Sequence, residues 1–424
     1  MNHRKARFGR CLALLLVLLF GSCEQRDDTV ELELWTYALR PTFNDYMAEL
    51  VADFEADHPG VEVVWVDVPW GLMRRKMFAA GAAGALPDVV NLSDADFAVF
   101  ANLGALHELE GRPGGFVPGA LDACVIDGRL MGLPWYLSTP VRVVNADLLE
   151  RGGLSVETVG DDWATLMEQA EPFHSATGKF LFTLRLGEDS ELPALMIADG
   201  LTPIMPHEEG GWRSNLTDPA VVAYAQRWVD LFKAGALPRS AATGGYGETV
   251  QAYTDQAVAV LNANALRKIE QTDPALFENT VVLPGLRSKA GGDPLAVMHL
   301  AVGRQSDHPE LAEALALHVA SPEWQTELAI RASRLPSTVA SLDDPAFTDQ
   351  STKITAATAL SAAGLMNARS YNPPVGPWPD MRRAFNDGIK RVLLEDTDLA
   401  AVLAEVDAEW NRMLRADAEG MSYK

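Results

Sequence analysis

Val30, Leu32 and Leu34 alternate with Glu31 and Glu33, the period of two of a half-buried strand, and the run ends at Trp35-Thr36-Tyr37. Beyond Pro41-Thr42 the apolar spacing becomes helical, at Phe43, Tyr46, Met47, Leu50, Val51 and Phe54, and stops at His58-Pro59-Gly60. A second strand is expected over 61–68, a helix over 71–80, a buried third strand over 88–92 and a helix over 96–103. Strands alternating with helices at this rhythm make an α/β fold with a mainly parallel sheet covered on both faces. Such sheets bind ligands in the loops beyond the carboxyl ends of their strands. Further on, Asp218-Pro219 and Ser321-Pro322-Glu323 carry helix start signals. Leu399, Val402, Leu403, Val406, Trp410 and Leu414 mark an amphipathic helix near the end. No internal repeat or low-complexity tract interrupts the pattern.

One apolar run stands outside this alternation. Arg4, Lys5, Arg7 and Arg10 precede the stretch Leu12 to Phe20, which is too short to span a bilayer, and Gly21-Ser22-Cys23 follows. A basic start, a short apolar core and small residues read as an export signal over 1–22. The tripeptide before Cys23 resembles a bacterial lipobox, with Phe20 where Leu is more usual, so Cys23 is expected to carry lipid and 23–28 to form a tether. The alternative is plain cleavage with an ordinary Cys23. Cys11 leaves with the signal, so Cys124 alone remains and stability must come from a large core rather than a disulfide.

The net charge of −23 becomes −27 once the four cations of the signal are removed, which argues against nucleic acid and against anionic lipid headgroups as partners. The eight histidines are scattered, with no His-x-x-x-His or paired cysteine ligands, so neither a metal nor another cofactor is expected. A Gly-x-Ser-x-Gly elbow and a phosphate loop are both absent. We expect no enzyme. The alternatives are a sensory or interaction protein and, less favoured, a glycoside hydrolase or lyase using carboxylates such as Asp94 and Asp96.

Several stretches, taken in order, resemble family 1 extracellular solute-binding proteins, the group that includes maltose-binding protein. Leu34-Trp35-Thr36 with the return at His58-Pro59-Gly60-Val61-Glu62-Val63 resembles the family's opening βαβ unit. Leu86-Pro87-Asp88-Val89-Val90 with Leu103-Gly104-Ala105-Leu106 resembles the next strand and helix. Gly132-Leu133-Pro134-Trp135-Tyr136-Leu137-Ser138-Thr139-Pro140 followed by Asn145-Ala146-Asp147-Leu148-Leu149 resembles the first crossover between lobes. Trp163 to Ala170 and Ala234-Gly235-Ala236-Leu237-Pro238 resemble a family helix and a family turn. The resemblance implies two lobes, an N-terminal one over 29–139 and 298–340 and a C-terminal one over 140–297 and 341–424, with a sugar-like ligand in the cleft between them. It also implies hinge closure, an ABC permease and ATPase complex as partner, and a monomeric, periplasmic, lipid-anchored receptor. One departure stands out: the loop Asn262-Ala263-Asn264-Ala265 lacks an aromatic common there, so a smaller ligand, or one held more by hydrogen bonds, is expected.

A sugar offers apolar C–H faces and many hydroxyls, so its receptor needs aromatic faces beside carboxylates and amides. The candidates are therefore Tyr37 after the first strand, Trp70 after the second, and Asp94 after the third, with Asp96 capping the next helix. Trp135 and Tyr136 sit at the crossover, one facing the cleft and one packing. Asn262 and Asn264 follow a hydrophobic strand, and Trp378 lies in a proline-rich loop from which, by the resemblance, an aromatic reaches the sugar. Arg185 and Asp189 read as a solvated pair, while Trp65, Trp228 and Trp410 lie at core spacing.

Overall fold

The computed structural model describes residues 29–187, 190–208 and 210–419; the segment 1–22 expected to be an export signal, Cys23 and Asp189 lie outside the described residues. Ten strands build the two main sheets. In chain order they are β1 (Val30–Tyr37), β2 (Val61–Val68), β3 (Val89–Ser93), β4 (Leu133–Ser138), β5 (Val141–Asn145), β6 (Phe180–Phe182), β7 (Val258–Asn262), β8 (Thr280–Pro284), β9 (Ala296–Val302) and β10 (Leu335–Pro336). The first sheet has the order β10-β4-β9-β3-β1-β2 and the second β8-β5-β7-β6.

The opening strands pair as their hydrophobic pattern requires. β1 lies parallel to β2 and to β3, with Leu32 opposite Val63 and Leu34 opposite Val89. Leu32, Leu34, Val89 and Leu92 are fully buried. The helix Asn44–Asp57 turns Tyr46, Met47, Leu50 and Phe54 into the same core. Gly60, at φ +89°, makes the turn into β2, a conformation that a side chain would strain. The next helix runs over Met73–Ala83, three residues past the expected end, because its stop is Gly84 in the left-handed conformation.

The chain leaves the first sheet abruptly. Only Thr139 and Pro140 separate β4 in one sheet from β5 in the other. It returns after β8 to form β9, and after β10 it goes back to supply the helices Lys353–Gly364, Trp378–Leu394 and Leu399–Ala418. The second lobe has its own core, centred on Trp163, Phe182, Trp228, Phe385 and Trp410. Its last two helices approach so closely that a Cβ on Gly388 would stand 2.9 Å from both Val402 Cγ1 and Val406 Cγ2. Trp410 is fully buried and donates its Nε1–H to Met381 O at 2.7 Å. Trp228 is buried as its spacing predicts. Trp65 is only half-buried; its ring carries the Arg40 guanidinium 4.0 Å above it. Asp218 caps its helix through Ala220 N–H at 2.8 Å, whereas Ser321 starts its helix without a side-chain cap bond.

Candidate ligand site between the lobes

Strand register puts the expected loops on one edge of each sheet. In the first sheet, Tyr37 pairs with Val68, Ser93 with Met298 and Ser138 with Ala296, so the ends of β1 to β4 and the start of β9 share an edge. In the second, Asn262 pairs with Arg142 and Pro284 with Val141, and β6 runs parallel to β7, so the ends of β6, β7 and β8 share an edge with the start of β5. A cavity of about 400 Å³ lies between these edges, lined by Ser138 and Arg334 from one side and by Arg185, Tyr246, Asn262 and Asn264 from the other.

On the first lobe, the strand ends carry an aromatic platform. Trp70 is 59% exposed and stacks on Tyr37, with ring centroids 4.3 Å apart and planes 12° apart. Tyr37 is itself buried and donates its hydroxyl to Asp96 Oδ2 at 2.5 Å. Burial first, then the Asp96 charge, pushes the Tyr37 phenol well above its ordinary range, so it stays protonated. Asp96 also accepts from Arg74 Nε at 2.5 Å. Tyr37 therefore supports the exposed face of Trp70 rather than offering one.

Neither Asp94, expected at the ligand, nor Asp96, expected as the helix cap, takes that role. The helix begins at Asp94, and its cap is Ser93, whose Oγ accepts from Asp96 N–H. Asp94 is turned away to β9, where it accepts from Val297 N–H at 3.2 Å and bonds His299 Nε2 at 2.9 Å. His299 in turn has its Nδ1 3.3 Å from Cys124 Sγ. Cys, His and Asp in series resemble a nucleophile with its base and orienting acid. The thiol, however, is fully buried and burial holds it above its ordinary value, so it is neither accessible nor a thiolate. Both carboxylates of the suspected hydrolase pair are thus engaged by protein groups.

The remaining candidates separate clearly. Trp135 is fully buried in the first core, because alternation along β4 turns it inward. Tyr136 is half-buried against the same core. Asn262 lines the cavity; its Oδ1 accepts Leu286 N–H at 3.3 Å, and its amide N–H₂ is not engaged by the described residues. Asn264 is exposed on the same wall. Trp378 borders the cavity but is only 2% exposed, packed edge-on against Trp410, so it cannot present a face to a solute as expected. It opens a helix whose apolar side belongs to the core.

Two further residues stand at the site: Arg185, expected on the solvated surface, and Tyr246, which the pattern does not single out. Arg185 is not a solvated surface group: its side chain is 17% exposed, lines the cavity and pairs with Glu191 at 2.7 Å. Tyr246 is 52% exposed on the cavity wall and supplies an aromatic in place of the one missing from the Asn262–Ala265 loop. Its one sequence signal was the Gly244-Gly245 pair that sets it at a helix start.

Two lobes, each an α/β sheet, with a polar and aromatic cavity between their strand ends, define a two-lobed periplasmic-binding-protein fold. The fold matches a proposed oligosaccharide periplasmic-binding protein from Synechococcus sp. MITs9220 with a TM-score of 0.80 and 28% identity, covering 91% of this chain and 99% of that one. The chain belongs to the family of bacterial extracellular solute-binding proteins, whose model matches residues 49–356. It is 28% identical over 167 residues to an uncharacterised lipoprotein in the oleD 5′ region of Streptomyces antibioticus, 38% of this chain and 37% of the relative. The chain thus spans little more than a third of that curated relative's length. It is 22% identical over 344 residues to the arabinooligosaccharide-binding protein of Bacillus subtilis strain 168, 75% of this chain and 76% of the relative. The family is one of solute-binding proteins and not of enzymes.

Proposed function

We propose that the chain is the substrate-binding subunit of an ABC importer, exported and lipid-anchored at Cys23, which captures a sugar-like solute between its lobes and delivers it to a permease. The residues 29–139 with 296–340 and 140–295 with 341–424 move as the two halves, hinged at Thr139-Pro140 and the two returning segments; the boundary expected at 298 shifts to 296 because β9 belongs whole to the first sheet. The observation that carries this reading is the cavity between the two sheet edges, lined by Tyr246, Asn262, Asn264 and Arg334; the exposed Trp70 ring, held flat by Tyr37, stands beyond β2 on the same edge of the first sheet, outside that lining. Leaving a large ring exposed and rigid suits a flat apolar partner such as a pyranose face. Tyr246 provides an aromatic from the other lobe, and Asn262 and Asn264 provide amides for hydroxyls. Of the residues singled out earlier, Trp70, Asn262 and Asn264 are the contacts, with Tyr37 as support.

The test is calorimetric titration of the mature chain against mono- and oligosaccharides. Saturable binding without turnover, lost on Trp70→Ala, supports the reading. Hydrolysis of a glycoside, or an absence of binding across the panel, overturns it. The names of the Synechococcus and Bacillus relatives, which concern oligosaccharides, favour starting the panel there.

A further inference from the structure

Charge around the cavity runs against the charge of the chain. The chain holds 58 acids to 35 lysines and arginines. Among the described residues, the cavity is lined by four arginines, Arg185, Arg287, Arg334 and Arg382, and by two acids, Glu191 and Asp199. Both acids are held by the protein: Glu191 by Arg185 at 2.7 Å, and Asp199 by the Tyr224 hydroxyl at 2.8 Å and Lys289 N–H at 3.3 Å. Arg287 is turned to Asp161. Arg185 and Arg382, from the second lobe, stand close enough that burial and then the Arg185 charge draw the Arg382 guanidinium below its ordinary value. Arg334 comes from the other lobe, next to β10, is exposed, and its side chain makes no hydrogen bond or ion pair with the described residues.

Resting on the solute-binding reading, we infer that the solute is an anionic sugar, bearing a carboxylate or phosphate, held between Arg334 of one lobe and the Arg185 and Arg382 pair of the other. Each arginine keeps whatever protein partners it has. The case lies in the sign of the fixed charges and in their origin on both walls. Guanidinium presents a planar fork of donors that matches carboxylate and phosphate oxygens, and it is favoured over ammonium where such groups are recognised. Closing an empty cleft brings cations on the two lobes together; an anion between them offsets that repulsion, so closure and ligand charge are coupled.

The experiment titrates the mature chain with neutral sugars, each paired with its uronate and its phosphate ester, and with inorganic phosphate alone. An acidic member should bind about tenfold or more tightly than its neutral counterpart, with the advantage shrinking as salt rises. Arg334→Gln should remove most of that advantage, and Arg382→Lys should weaken it less than Arg382→Gln, because the charge is kept. Preference for uronate or for phosphate ester identifies the source of the charge. A neutral sugar binding as tightly as its acidic partner overturns the inference and leaves the solute-binding reading standing. Inorganic phosphate matching the phosphate ester overturns it too, since the sugar would then contribute nothing. Binding by no member of the panel removes both.

Discussion

Trp70 and Asp293 show how single side chains report on this molecule. Trp70 keeps 59% of its surface exposed, so its removal should leave folding unchanged within about 0.5 kcal/mol. Affinity for the solute should fall about tenfold or more, as the loss of one stacked face implies. Urea unfolding and calorimetry on Trp70→Ala check the two halves of that statement. Asp293 tests stability against pH. Burial holds its carboxyl above the ordinary range, so the folded chain keeps that proton to higher pH than the unfolded chain does. The group therefore favours folding below the carboxylate range, and that contribution is lost as pH rises through its folded value. Asp293→Asn should stabilise the fold at pH 7 by less than about 1 kcal/mol, because the side chain is only partly buried, read as a small rise in Tm that is lost as pH falls below the carboxylate range.

The two closing helices carry much of the second core. Gly388 sits where Val402 and Val406 approach, and a Cβ there would meet both at 2.9 Å. Gly388→Ala should cost about 1–3 kcal/mol by overpacking, and Trp410→Ala about 3–5 kcal/mol by leaving a cavity, both read from urea midpoints. Elements were legible where pattern and punctuation agreed. The spacing of Tyr46, Met47, Leu50 and Phe54, the Asp218-Pro219 cap and the period of β1 all appear as read. The helix after β3 starts two residues before its spacing predicts, because Ser93, Asp94 and Asp96 are all competent caps. Which one wins is decided by where the other two find partners, and Asp94 and Asp96 find theirs on His299, Tyr37 and Arg74.

At the scale of the whole molecule, the reading of a hinged receptor has a mechanical consequence. The lobes are joined by Thr139-Pro140 and two returns, so a saturating solute should shrink the radius of gyration in small-angle scattering, while Trp70→Ala should need about tenfold more solute for the same change. An unchanged radius with tight binding would mean that the two halves do not close. What the sequence by itself determined was the local and the periodic: strand and helix succession, the carboxyl-end loops as the place to look, and Asn262 and Asn264 as groups on the cavity wall. Those depend on neighbours along the chain, where spacing carries information. Only the tertiary structure decided that Trp135 and Trp378 are sealed in cores, that Asp94 serves His299, and that Arg185, Tyr246 and Arg334 meet at one cavity. Those outcomes depend on groups brought together from distant parts of the chain, across strands and between lobes, and no local pattern encodes such meetings.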